Sequence, residues 1–148
     1  MLNIKDYLSE TAAKNGLVLD GLHFPGCALD PKKIKAIMID EAPPKKPNDG
    51  FFSQSPKSSY VRTTLGLFRL ADIDVTSVQD ILDMGIYITT TLKAPRDKAK
   101  PLKADEIKAH IPLLEEELAL FPNLKMIMLM GGTAIKAREK RDTCGQCI

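Results

Sequence analysis

Short apolar runs alternate along the chain with segments in which apolar residues recur at helical spacing, and together the two patterns predict alternating strands and helices. Asn3 is placed to cap a first helix whose face is Ile4, Tyr7, Leu8 and Ala12, and Gly16 to end it. Residues 20 to 33, with Gly21, Pro25, Gly26 and Pro31, read as a loop. The run Ile34 to Ile39 is almost wholly apolar and suits a strand buried on both faces. Pro43 and Pro44 have no backbone donor for a ladder, which leaves Glu41 at the strand's carboxyl end. A polar stretch from Lys45 to Ser59 is long for a compact domain, and loops of that length are often functional. Tyr60, Val61, Leu65, Phe68 and Ala71 form the next helical face; a weaker pattern around Val78, Ile81 and Leu82 ends near Gly85.

Ile86 to Leu92, rich in β-branched and aromatic residues, predicts a second strand closed by Ala94 and Pro95. Ile107, Ile111, Leu114 and Leu118 line a helix that Pro112 must kink or break. Met126 to Met130 predicts a third strand, followed by Gly131, Gly132 and a short helix from Thr133; residues 138 to 148 read as a polar tail. Strands alternating with helices imply parallel pairing and right-handed crossovers. The turns Asp40 to Pro44, Thr89 to Arg96 and Gly131 to Thr133 would then share one edge of the sheet, where ligands bind in open parallel sheets.

A length of 148 residues, 44% hydrophobic and 27% charged, fits a single domain over 1–148 with a full core. No apolar stretch approaches the roughly 20 residues that span a bilayer, and Asp6 and Glu10 interrupt any signal-peptide core, so a cytoplasmic, non-membrane protein is expected. A net charge of +2 carries no message about nucleic acid by itself. Cys27, Cys144 and Cys147 are too few and too unevenly placed for a disulfide framework. Cys144-Gly145-Gln146-Cys147 has the spacing of a metal half-site, but the chain offers only Cys27, His23 and His110 as companions, so no metal or cofactor is expected.

Glu41 is the first candidate for chemistry, since a carboxylate at a hydrophobic strand end can orient or deprotonate a water. Asp40, its neighbour, points to the other side of the strand. Phe51 and Phe52 stand in a polar loop, where an aromatic ring either stacks on a nucleobase or anchors the loop to the core. Thr89, Thr90 and Thr91 alternate faces at a strand end, so only one or two hydroxyls can meet a ligand there. Lys93, Arg96, Lys98, Lys100 and Lys103, joined by Lys45, Lys46, Lys57 and Arg62 if the first loop lies alongside, could track a phosphate backbone or form a solvated face. Gly131-Gly132-Thr133 is a weak anion-cradle signal. His23 and His110 have no partner visible in the sequence.

Three ordered blocks resemble the uracil-DNA glycosylase superfamily, in the branch whose first motif reads Gly-Glu-Ala-Pro-Gly. They are Asp40-Glu41-Ala42-Pro43-Pro44 with Gly50-Phe51-Phe52-Ser53, then Ile88-Thr89-Thr90-Thr91-Leu92-Lys93-Ala94-Pro95-Arg96, then Leu129-Met130-Gly131-Gly132-Thr133-Ala134. The resemblance covers about residues 34 to 137. It implies a three-layer α/β/α sandwich around a short parallel sheet, acting as a monomer on uracil in single- or double-stranded DNA during base-excision repair. It makes Glu41 the acid that positions water, Phe52 the ring that stacks on the base and Thr90 the reader of its polar edge. Asp40 and Ala42 complete the substrate wall, while Lys93, Arg96 and Gly131 lie near the DNA backbone.

The chain also departs from the family pattern. Asp40 replaces a glycine, Thr90 an asparagine, and Ala42 stands where the best-known members carry an aspartate. The branch's iron-sulfur cysteines are absent, and no histidine-bearing loop follows Ala137, so the sheet is expected to lack its last strand. The expected activity is hydrolysis of the N-glycosidic bond of uracil in DNA. The alternatives are a non-catalytic nucleic-acid or nucleotide-binding module on the same fold, and a small-molecule hydrolase using the same crevice.

Overall fold

The computed structural model describes residues 1–143 apart from positions 54, 56 and 98, with the side chains of 133 and 140–143 set aside; Lys98, Cys144 and Cys147 lie outside the described residues. The chain folds as a mixed α/β protein on a three-stranded parallel sheet packed by helices. Strand β1 (Leu2–Asn3) leads into helix α1 (Ile4–Lys14), where the Asn3 side chain accepts the Asp6 N–H as expected of a cap. β2 (Ala28–Leu29) pairs antiparallel with β1 inside the segment read as pure loop. Two residues are too few to display the alternation by which a strand is recognised.

The long apolar run contributes β3 (Ala36–Asp40), with Ile37 and Ile39 buried. Helices α2 (Ser59–Leu70) and α3 (Val78–Asp83) lead to β4 (Ile86–Thr90). Helix α4 (Ala104–Ala119) leads to β5 (Met126–Leu129), and α5 (Gly132–Thr143) continues through the first part of the segment read as a tail. The strand order β4-β3-β5 puts β3 in the centre, with Met38 opposite Ile88 on one side and Met128 on the other. Pairing outlasts the formal strands, because the Asp40 and Glu41 carbonyls accept from Thr91 N–H at 2.8 Å and Leu92 N–H at 2.9 Å. This zipper brings the carboxyl ends of β3 and β4 side by side.

Alternation along the strands divides the core. Ile37, Ile39 and Tyr87 pack with Ile4 and Leu8 of α1 and Leu113 and Leu114 of α4, while Met38, Ile86 and Ile88 pack with Leu65 and Phe68 of α2 and Ile81 of α3. Helices therefore cover both faces, as right-handed crossovers to strands on opposite sides of β3 require. Helix α4 runs unbroken through Pro112. The carbonyl that Pro112 deprives of a donor belongs to Lys108, and both residues are exposed, so water can serve it. The buried stripe of α4 includes Leu113 and Glu117, which the apolar spacing did not mark, while Ile111 and Leu118 are half-buried.

Gly85 sets the start of β4. Its φ is +83°, its carbonyl accepts from Lys35 and Ala36, and a Cβ built there would lie 2.6 Å from the Lys33 carbonyl oxygen. Gly16, at φ +72°, has nothing within 4 Å of such a Cβ among the described residues. Gly85→Ala is therefore expected to cost more than the ~1–2 kcal/mol of left-handed strain alone, which is all that Gly16→Ala should cost. Urea midpoints of the two variants check this; equal losses would contradict it.

Candidate functional site

The end of β4 and the loop after β3 border an open cavity of about 190 Å³, lined by Pro43, Pro44, Phe51, Phe52, Ser53, Thr89 and Thr90. Pro47, Gly50 and Ile88 also line it, as do Lys5 of α1 and His23, Phe24, Pro25 and Gly26 of the loop following α1. The sequence reading missed these last contributors. A Gly/Pro-rich loop carries no periodic signal that would show which wall it builds, and the only local sign was the presence of His23 among those residues. Its backbone docks by donating the His23 N–H to the Lys93 carbonyl at 2.7 Å.

Both phenylalanines are half-buried and divide their tasks. Phe52 stacks on buried Tyr87, with centroids 6.0 Å apart and planes 21° apart, and also lines the cavity. Phe51 meets Tyr60 edge-on at 5.0 Å and lies between this cavity and a second of about 310 Å³ lined by Met38, Asp40, Tyr60, Thr63 and Met130. Asp40 thus faces α2, and its Oδ1 accepts the Glu41 N–H at 2.7 Å. Burial, followed by the charges of Asp40, Asp49 and Glu41, raises the Tyr60 phenol above its ordinary value.

Glu41 follows β3 directly. Its carboxylate pairs with one arm of Arg96, whose other arm reaches the Lys100 carbonyl. The guanidinium therefore bridges the β3 loop to the loop after β4. Ala42 is buried, and Gly131, exposed with φ +104° at the start of α5, lines neither of the two cavities. Of the expected site, Phe52 and Thr90 meet in one cavity, Glu41 and Arg96 pair beside Pro43 and Pro44, and Asp40 turns to the second cavity.

Lys93 requires a correction. Expected beside a DNA backbone, it is fully buried, and its Nζ donates to Glu117 Oε2 at 2.6 Å, Thr89 Oγ1 at 2.7 Å and the Thr90 carbonyl at 2.7 Å. All three ammonium donors are thus occupied inside the protein. Glu117 also accepts from Tyr87 Oη at 2.6 Å and Thr89 Oγ1 at 2.7 Å, so the buried pair is fully hydrogen-bonded. Burial outweighs the partner and lowers the Lys93 ammonium, and burial joined by Glu117 drives the Tyr87 phenol far up. The Cys27 thiol is pushed up to about 12 by burial and then by Glu117, so it stays protonated. Thr91 is the odd threonine: its buried hydroxyl has no partner among the described residues.

His110 of α4, for which the sequence showed no partner, accepts the Lys93 N–H on Nδ1 at 3.2 Å. Its pKa lies below the ordinary 6.5, chiefly through burial and then through the Lys93 charge, against a smaller opposing pull from Glu106. Below 6.5 the unfolded chain then binds the proton more readily than the folded one, so this contribution to stability is present above 6.5 and is lost as pH falls. His110→Asn, which keeps an acceptor but does not titrate, is expected to flatten the fall in the urea midpoint between about pH 7 and pH 5. An unchanged pH profile would contradict this assignment.

Among the described residues no group of three or more His, Cys, Asp or Glu is arranged to hold a metal ion, and no helix is long and apolar enough to cross a membrane. No protein-family model matches the chain, and no curated protein matches it.

Proposed function

We propose that the chain is a uracil-DNA glycosylase-like domain, a three-layer α/β/α unit that takes a flipped uracil into the strand-end cavity and hydrolyses its N-glycosidic bond. The observation that carries the reading is the convergence of Pro43, Pro44, Phe52 and Thr90, from segments far apart in sequence, on one cavity, two residues along the chain from Glu41. A lining of proline and phenylalanine with a few hydroxyls suits a flat ring that must be stacked and read along one edge. As the bond to the sugar breaks, the base gains negative charge and the sugar becomes cation-like, and the role of Glu41 is to hold the attacking water against that cation. The exposed Lys45, Lys46, Lys57, Lys100 and Lys103 are the cations available for phosphates, in place of Lys93.

The test is incubation with uracil-containing single-stranded and duplex DNA. Release of uracil that Glu41→Ala abolishes establishes the activity; no release together with no DNA binding removes any repair role.

A second reading is favoured by the Glu41 to Arg96 pair, which engages the carboxylate that hydrolysis would use. On it the domain binds nucleic acid or nucleotide without cleaving. DNA binding that weakens steeply with salt, without uracil release, is its signature.

A further inference from the structure

Strand β5 has the composition of an interior strand in an edge position. Met126, Ile127, Met128, Leu129 and Met130 are apolar on both faces, as suits a strand covered on both sides. Yet Met126 is 56% and Ile127 41% exposed, whereas Ile37, at the matching position of β3, is fully buried. Among the described residues β5 pairs with β3 alone, so its outer side is open. The run carries no charge and no proline, and its register with β3 is unbroken by a bulge, so the usual means of blunting an edge are missing. Backbone polarity is equally specific. Met126 N–H donates to the Lys35 carbonyl at 3.2 Å and Met130 N–H to the Ile39 carbonyl at 2.8 Å. Alternate residues of a parallel ladder bond to the same neighbour, so Ile127 and Leu129 turn their N–H and C=O groups to the open side. Behind these two residues lies a cavity of about 300 Å³, whose charged lining side chains are Glu115 and Arg138. Being opposite in sign, they give the surface no net charge with which to attract a nucleic acid or an acidic peptide.

From this complementarity we infer that the partner of the open edge is a second copy of the chain, with the two β5 strands paired antiparallel across a two-fold axis at Met128. In that register Ile127 of one copy faces Leu129 of the other. Both turn their backbone groups outward, so each such pair exchanges two N–H···O=C bonds. Met126 faces Met130, both of which bond inward to the β3 side, and Met128 faces itself. Every residue of the run thus meets an apolar residue. Lys125 meets Gly131, so no like charges oppose, whereas an axis at Lys125 would set the two lysines face to face. The pairing is isologous and closes at two copies, in place of the monomer that the family resemblance implies. Because the strands run antiparallel, the carboxyl ends of the two sheets point in opposite directions, and the cavities holding Phe52 and Thr90 lie at opposite ends of the dimer. A contact of one short strand pair and its methionines is at the small end for a specific interface, so a dissociation constant on the order of 10–100 μM is expected.

The experiment is sedimentation of the whole chain, kept reduced so that no thiol links the copies, from about 1 μM to about 1 mM. Expected is a passage from monomer to dimer that stops at two copies. Two double variants test the register at positions that are both exposed. Met126→Lys with Met130→Lys opposes like charges across the axis, and Met126→Lys with Met130→Glu opposes unlike ones. The first is expected to dimerise at least about tenfold more weakly than the second. A monomer at every concentration, growth beyond two copies, or equal dimerisation of the two variants would overturn the inference. Should the variants fail to fold, amide hydrogen exchange on the unaltered protein decides. The Ile127 and Leu129 amides should gain protection as concentration rises, while those of Met126 and Met130 are held from the β3 side throughout. Exchange at Ile127 and Leu129 that ignores concentration overturns the pairing.

Discussion

Glu117→Leu is expected to destabilise the protein by about 3–5 kcal/mol, because it strands the Lys93 ammonium in a site with no exposure to water. The substitution also removes the acceptor used by Tyr87 and Thr89. Urea unfolding at neutral pH measures the loss. Its pH dependence carries the mechanism: burial already holds the folded Lys93 ammonium below its ordinary value of 10.5, and without Glu117 it must fall further. Between the folded value and 10.5 the unfolded chain binds more protons, so the variant should regain stability as pH rises through that window. Lys93→Met combined with Glu117→Leu should recover most of the loss, since replacing both members of a buried pair by apolar groups is often neutral or better. A single variant within about 1 kcal/mol of the parent would show that the pair is not the buried, mutually dependent unit described.

If the chain hydrolyses uracil as proposed, Arg96→Ala is expected to slow that release by roughly 10- to 100-fold, the scale on which a misplaced catalytic group loses rate. The guanidinium holds Glu41 with one nitrogen and the Lys100 carbonyl with the other, so it sets where the carboxylate sits relative to the loop after β4. Arg96→Lys should recover little, because an ammonium is a point charge and cannot span both acceptors as a planar fork does. Single-turnover release from uracil-containing DNA gives the rate, and salt-dependent DNA affinity measured alongside separates lost positioning from lost phosphate contact. A rate unchanged by Arg96→Ala would mean that the pair plays no part in orienting Glu41.

Much of the architecture was legible because long periodic or apolar runs bury surface in only a few ways. The run ending at Ile39 forms the central strand, Gly85 does open β4, and the turns after β3 and β4 lie side by side through the pairing of Asp40 with Thr91 and Glu41 with Leu92. The two-residue pair of β1 with β2 and the unbroken passage of α4 through Pro112 were not legible, the first because it is too short for a pattern and the second because water can serve the carbonyl that the proline deprives. Phe51, Phe52 and the three threonines stood out from local features, the resemblance singled out Phe52 and Thr90, and these two share a cavity. Lys93 was misplaced because a lysine in a basic run looks like its neighbours until its partner is known.

The sequence alone determined the order of the three sheet strands and the helices between them, the carboxyl-end position of Glu41 and the division of the strands into two faces, all consequences of periodicity and of proline lacking a donor. Only the tertiary structure decided the direction of each polar group. Glu117 lies 24 residues from Lys93 and 28 from Thr89, and His23 docks on the Lys93 carbonyl from 70 residues earlier in the chain. Hydrogen-bond direction depends on which donor meets which acceptor across such separations, and local residue spacing does not encode that meeting.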